Sequence, residues 1–383
     1  MKVALAHKRL DLHGGTERDL FKTAEGLRDL GHEVHLFCSE YSVPPPAGVT
    51  AHRIPVLRFG RTARLWSFAF AAPKIIERTG CDVVISFGRM IKQDILRCGG
   101  GTHRGFLRRL GAEGGAVRRF WQKISVYHRS LLALERRQYE AQGLQSIIAV
   151  STEVKRDIMA NYSIDGAKIA VLYNGVDLKR FHPAKRSEFG AAVRARWNIP
   201  SDAPLVLFVG SGFRRKGLDR LLAIWNLPEL ARLHLLVVGS DARFGSYQAR
   251  AASIAPGRII FAGRQDEIEN YYAAADLVAL PALQEAFGNV VLEALASGLP
   301  VLVSRAVGAA EVLAGSVAGS VVERPDDCGE LSSKLLALLR QAGDPALCQA
   351  ARKAAEEYSW KHHFERLDEL LHRAGRRSPI RVS

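Results

Sequence analysis

The chain has 383 residues, 48% of them hydrophobic, which is enough for two domains of ordinary size with a core each. No apolar run approaches the ~18 residues that cross a bilayer, and the opening MKVALAHKRL is too short in its apolar part to be a signal peptide, so a cytoplasmic location is expected. Five scattered cysteines without a CxxC pair argue against a disulfide framework or structural zinc, and a net charge of +15 implies an anionic partner.

In chain order, KVALAH (2–7), EVHLFCS (33–39), VVISFG (83–88), SIIAVS (146–151) and IAVLYNG (169–175) read as strands. Unbroken apolar runs of this length suit strands buried on both faces. Helix candidates such as Thr16–Leu30 and Thr152–Tyr162 lie between them, and this alternation predicts a parallel α/β sheet. The segment 177–200 is polar, carries Pro183 and Pro200, and reads as a linker. The pattern then restarts with LVLFVGS (205–211), LHLLVVGS (233–240), IIFAG (259–263), LVALPA (277–282) and PVLVS (300–304), and a sixth candidate strand ends before Asp326. The expected organisation is an N-terminal domain 1–176, the linker, a second domain 201–360, and a C-terminal helix with a basic tail over 361–383 that packs back on the first domain. Two doubly wound domains facing across a cleft would bind ligands outside the carboxyl ends of their strands.

The loop residues after those strands carry the chemistry. In PALQEAFGNVVLEALASGLPVLVS (281–304) a strand ends at Pro281, a loop holds Glu285, and Gly288 and Asn289 open a helix with Glu293 about one turn inside it. A helix start offers free N–H groups and a favourable dipole to a phosphate. The span from 285 to 293 is ~12 Å if helical, about the length of a nucleoside diphosphate-sugar. Two acids alone would equally read as a solvated loop acid and a helix-surface acid.

The full string is more specific. EAFGNVVLEALASGLPV resembles the E-x7-E signature of the retaining glycosyltransferase family 4, including Phe287-Gly288 between the acids and the Ala-x-Gly-x-Pro-Val after them. The resemblance implies a GT-B fold, a UDP-sugar donor, and no metal or other cofactor. It places Glu285 toward the transferred sugar, Glu293 toward the ribose, and Phe287, Gly288, Asn289 and Val290 against the donor. In FVGSGFRRKGLDRLL (208–222) a cationic strand-to-helix turn suits a diphosphate. Here Lys216 matches the family lysine, Arg215 is the better match for the family arginine than Arg214, and Gly212 lines the donor. With these groups neutralising the diphosphate, the resemblance implies attack by the acceptor hydroxyl on the leaving-group face, a phosphate oxygen taking the proton.

Four further positions follow. The Gly14-Gly15 turn after the first strand lets backbone approach a ligand. Thr16 and Asp19 read as a capping box, while the lipopolysaccharide-core members of the family place an acid matching Asp19 near the reacting centre. His103, in the Gly-rich RCGGGTHRG, matches a cleft-loop histidine of many members, and Arg264 in FAGRQDE is a candidate to stack on the nucleobase.

Of the charge, residues 1–180 hold 29 Lys+Arg against 17 Asp+Glu, and 104–137 hold nine against two with Phe106, Leu107, Leu110, Phe120, Trp121, Ile124, Val126 and Tyr127 interleaved. Such a stretch suits an anionic membrane interface, with Arg373, Arg376, Arg377 and Arg381 of the tail adding to it. The lipopolysaccharide-core members are peripheral on the cytoplasmic face of the inner membrane and act on an anionic glycolipid, and the resemblance implies the same here. A nucleic-acid partner would use the same cations, but no helix-turn-helix, zinc or RNP-type motif accompanies them. An epimerase, a phosphorylase and a sugar-nucleotide sensor fit the motif set less well.

Overall fold

In the computed structural model, residues 1–12, 14–113 and 125–375 are described, 110–113 as backbone only. The chain forms two compact units, Met1–Tyr173 together with the chain from His363 on, and Asn174–His362.

The first unit holds a parallel sheet of β1 (Lys2–Leu10), β2 (Glu33–Tyr41), β3 (Thr50–Arg53), β4 (Val83–Ser86), β5 (Ile95–Cys98), β6 (Ser146–Ala149) and β7 (Ile169–Val171) in the order β3-β2-β1-β4-β5-β6-β7. Val3, at the start of β1, pairs with Val34 on one side and Val83 on the other, and Val3–Ala6 are fully buried. The chain winds away from β1 in both directions, so the topological switch lies between β1 and β4. The second unit repeats the plan with β8 (Leu205–Val209), β9 (His234–Val238), β10 (Ile259–Gly263), β11 (Leu277–Leu280), β12 (Val301–Ser304) and β13 (Gly319–Val322) in the order β10-β9-β8-β11-β12-β13, switching between β8 and β11.

Helices α1 (Gly15–Asp29), α2 (Gly60–Arg78), α3 (His103–Glu113), α4 (Val126–Tyr139) and α5 (Thr152–Asn161) belong to the first unit. The second has α6 (Lys185–Arg196), the single turn α7 (Phe213–Lys216), α8 (Leu218–Ile224), α9 (Phe244–Ile254), α10 (Ile268–Ala274), α11 (Asn289–Ala296), α12 (Cys328–Leu339) and α13 (Pro345–Glu356). In α14 (Trp360–Gly375), Leu367, Leu371 and Ala374 enter the first unit's core beside Leu20, Ala24 and Leu27. Each such buried leucine contributes about 1.5–3 kcal/mol. Arg376, Arg377 and Arg381 of the tail lie outside the described residues.

One expectation about the layout changes, and strand β3 is unforeseen. The segment 177–200 is no free linker: it carries α6 and belongs to the second unit. Hydropathy missed it because a buried arginine holds it in place. Arg194 donates from Nε to the Ala274 carbonyl (3.0 Å), from one terminal nitrogen to the Ala203 carbonyl (2.8 Å), and from the other to Asp276 (2.8 Å). Strand β3, TAHR, sits at the sheet edge with its side chains largely in solvent, so it lacks the apolar run of an interior strand. Among the described residues no helix is long and apolar enough to cross a membrane.

Candidate functional site

In the second unit, the loops after β8 and β11 meet at the switch point. The Glu285 carboxylate takes an ion pair from Arg215 at 2.8 Å and from Lys216 Nζ at 3.0 Å, all through one oxygen. Burial pushes its carboxyl up, but the Lys216 and Arg215 charges outweigh burial and hold it below the ordinary range. The residues come together because the loop 281–288 is stitched on two sides. Leu283 N–H donates to the Arg215 carbonyl (2.8 Å) and the Arg215 guanidinium to the Gln284 carbonyl (2.9 Å). On the other side Glu285 N–H donates to the Ala306 carbonyl (3.0 Å), and Gly308 N–H to the Glu285 carbonyl (2.9 Å). The Lys216 side chain runs back over Gly210, where any Cβ would strike its Cδ and Cε. Gly212 caps α7 in a left-handed conformation, and Asp241 after β9 accepts from Phe213 N–H at 2.8 Å.

Gly288 starts α11 with φ +95, a region that favours glycine, and no side chain caps the helix. Val291 N–H donates to the Gly288 carbonyl (2.9 Å), while the N–H groups of Asn289 and Val290 before it have no intrahelical acceptor. Asn289 Oδ1 accepts from Asn174 Nδ2 at 2.7 Å, while Phe287 and Val290 are buried and contribute packing and backbone. Glu293, one turn in, accepts a 2.6 Å hydrogen bond from the Tyr272 hydroxyl, whose proton burial and the neighbouring carboxylate hold in place. Arg264 follows β10 directly and is exposed. Thus Arg215, Lys216 and Glu285 form one contact cluster. Glu293 and Asn289 sit on the helix that follows it.

The first unit treats its candidates differently. Gly14 is the cap residue of α1, in an extended conformation, and a Cβ there would strike the Glu17 carboxylate; Gly15 has open space. The expected capping box is absent, since no side chain caps α1. Asp19 instead points inward and pairs with Arg97 of β5 at 3.0 Å, both nearly fully buried, and burial holds its carboxyl above the ordinary range despite Arg97. Asp19 therefore stands behind Arg97 and holds it by a buried ion pair. His103 is not in a loop: it is the first residue of α3. Its Nε2 meets His128 Nδ1 at 3.0 Å, and burial pushes its pKa down to about 4. The fully buried Glu135 accepts from His103 N–H (2.7 Å) and pairs with Arg89 (2.5 Å).

Within 104–137, several cations are spent inside the unit. Arg104 lies over the Tyr162 ring, Arg137 over Trp66, and Arg109 meets Asp157 at 3.3 Å. Phe106 and Val126 are exposed. Phe120, Trp121 and Ile124, and the side chain of Leu110, lie outside the described residues.

Sequence reading missed Tyr272, Asn174 and Asp241, which no motif marks. It also missed a cavity of 440 Å³ at the carboxyl ends of β1, β2, β4 and β5, lined by His7, Arg61, Arg64, Arg89 and Arg97 among others. The visible signal was the i, i+3, i+4, i+7 set Arg61, Arg64, Leu65 and Phe68 on one face of α2.

Two family models divide the chain: "Glycosyltransferase Family 4" matches residues 13–180 and "Glycosyl transferases group 1" matches 203–341. Lipopolysaccharide glucosyltransferase WaaG of Escherichia coli (strain K12) is 27% identical over 336 residues, 86% of this chain and 87% of its own. A D-inositol 3-phosphate glycosyltransferase of Xylanimonas cellulosilytica is 32% identical over 245 residues, 62% of this chain and 58% of its own. The crystal structure of WaaG, a glycosyltransferase involved in lipopolysaccharide biosynthesis, matches with a TM-score of 0.81 at 25% identity, covering 96% of this chain and 99% of that one. With two Rossmann-like parallel-sheet units in the GT-B plan and both halves matched, the chain belongs to glycosyltransferase family 4 and is an enzyme that transfers sugar.

Proposed function

We propose that this transferase moves a hexose, glucose by its similarity to WaaG, from a UDP-sugar to an anionic glycolipid such as a lipopolysaccharide core, with retention at the anomeric carbon and without a metal. The observation that carries this reading is the Glu285–Lys216–Arg215 cluster at the β8/β11 switch, 3.0 and 2.8 Å apart, followed by the uncapped start of α11. A diphosphate leaving group gains negative charge as the sugar departs. Two fixed cations and a helix N-terminus are the groups that stabilise it. Glu285, kept ionised by those cations, accepts hydrogen bonds from sugar hydroxyls. Glu293, oriented by Tyr272, accepts them from the ribose, and Arg264 stacks on the base. Peripheral attachment to the cytoplasmic face of the inner membrane would use the 104–137 stretch and the tail.

The test is a panel of nucleotide-sugars incubated without acceptor, hydrolysis being followed by release of the nucleotide. UDP-glucose should turn over. Glu285→Ala and Lys216→Ala should each lower turnover about 100-fold or more with an unchanged circular dichroism spectrum. Turnover of no nucleotide-sugar, or full activity in either variant, would sink the assignment.

A further inference from the structure

We infer that Arg220, its guanidinium held by Asp326, is a positioning residue that sets Glu285 against Lys216. The inference rests on reading the Glu285–Lys216–Arg215 cluster as the donor site. Arg220 lies in α8, one helical turn after Gly217, on the same stretch of chain as Arg215 and Lys216. Its guanidinium is engaged on two sides. Nε donates to Asp326 Oδ1 at 2.7 Å and one terminal nitrogen to Asp326 Oδ2 at 2.9 Å, a bidentate pair. The other terminal nitrogen donates to the Pro281 carbonyl at 2.9 Å. Pro281 is the first residue after β11, where the loop to Glu285 begins. Because a guanidinium is planar, the two bonds to Asp326 fix the direction of the remaining nitrogen.

The root of that loop is pressed against the cationic turn. Gly217 has φ +85, and a Cβ there would lie 2.0 Å from the Pro281 carbonyl oxygen. This oxygen sits where backbone meets backbone, and Arg220 supplies a donor to it. Just beyond, the Ser304 hydroxyl donates to the Ala282 carbonyl at 2.5 Å, and Leu283 N–H to the Arg215 carbonyl at 2.8 Å. A shift of Pro281 therefore moves the Glu285 carboxylate relative to Lys216 Nζ, 3.0 Å from it. A misplacement of about 1 Å at a reacting centre costs on the order of 100-fold in rate.

Asp326 stands on a braced turn between β13 and α12. Asp327 caps α12 by accepting from Glu330 N–H at 3.1 Å, and the Glu330 carboxylate accepts from Glu323 N–H at 2.9 Å and Arg324 N–H at 3.0 Å. The two adjacent aspartates thus have different tasks, Asp327 toward its helix and Asp326 toward Arg220. The Asp326 side chain is 80% exposed and that of Arg220 10%. An ion pair so open to water adds little to stability, so its main consequence is the orientation of the guanidinium. The segments that follow β8, β11 and β13 are tied together at this one side chain.

The test uses the full chain and UDP-glucose without acceptor, kcat and KM being read from the release of UDP. Arg220→Ala should lower kcat about tenfold or more, with UDP affinity by calorimetry within about twofold of the parent, because the cations that meet the diphosphate remain. Arg220→Lys should recover only part of the loss, since an ammonium cannot hold Asp326 by two bonds and reach Pro281 as well. Asp326→Ala should lower kcat about threefold with an unchanged melting temperature. In a Glu285→Ala background each of these substitutions should change kcat by less than about twofold, because the group through which Arg220 acts is gone. Full kcat in Arg220→Ala or Asp326→Ala, weakened UDP binding in place of a kcat loss, or the same fold-loss with and without Glu285 would overturn the inference. Should circular dichroism show that Arg220→Ala does not fold, Arg220→Lys and Asp326→Ala in the two backgrounds decide it. Parental turnover in Glu285→Ala alone would instead count against the donor-site reading.

Discussion

Both units gather cations at the carboxyl ends of their central strands, but they use them in different ways. In the second unit Lys216 and Arg215 are set against Glu285, so the site holds its own counter-charge. In the first, buried acids tie down Arg89 and Arg97, while Lys8, Arg61 and Arg64 face the cavity with Glu40 as the one acid among its described lining residues. On the proposed function, a donor diphosphate would therefore compete with a carboxylate already in place. In the first unit's cavity no described carboxylate forms an ion pair with Lys8, Arg61 or Arg64. The same residue types thus give a guarded site in one sheet and an open positive potential in the other.

The contrast can be broken most severely at Arg97. Its removal leaves Asp19 buried without its partner, and Arg97→Ala should cost about 3–5 kcal/mol in denaturant unfolding of the first unit. Arg61→Ala, at the solvent-facing end of the same cavity, should leave stability nearly unchanged, and equal losses in the two variants would refute the division into committed and available cations.

A smaller effect is expected in the second unit. Glu285→Gln removes the counter-charge while keeping the shape, so UDP should bind about three- to tenfold more tightly by calorimetry even as sugar transfer falls. Weaker UDP binding in that variant would mean that Glu285 holds the cations in place rather than competing for them.

The mildest expectation concerns pH. Burial holds His103 at about 4 and His363 at about 3, both below the ordinary histidine value of 6.5. The unfolded chain takes up these protons first as pH falls. The stability from the neutral rings is therefore fully present above 6.5 and is lost progressively as pH falls toward 4 and then 3. Melting temperature followed over that window should decline, and His103→Asn should flatten the slope. An unchanged slope would show that the His103–His128 contact carries none of it.

Much of this was legible in the linear chain. Apolar runs such as Lys2–His7 and Leu205–Ser211 announce interior strands because both faces of a parallel sheet are covered, and the Glu285 to Val301 string carries the family signature in the loop and helix after β11. What could not be read were contacts made by register and burial between distant segments. Arg97 interrupts its own strand's apolar pattern, yet it is buried because Asp19, 78 residues away, meets it. The helix at Lys185–Arg196 looks like a polar linker because Arg194 satisfies backbone carbonyls, which no hydropathy pattern records.

The sequence by itself determined the two α/β halves, the acids Glu285 and Glu293, and the Arg215–Lys216 turn, since local periodicity and motif spacing act over a few residues. Tertiary structure alone decided that Asp19 supports Arg97 instead of capping its helix. It decided that Tyr272 orients Glu293, and that Arg61 and Arg64 join strand ends from β1, β4 and β5 around one cavity. The physical reason is that a charge's role depends on what opposes it in space, and only folding brings its counter-charges within reach.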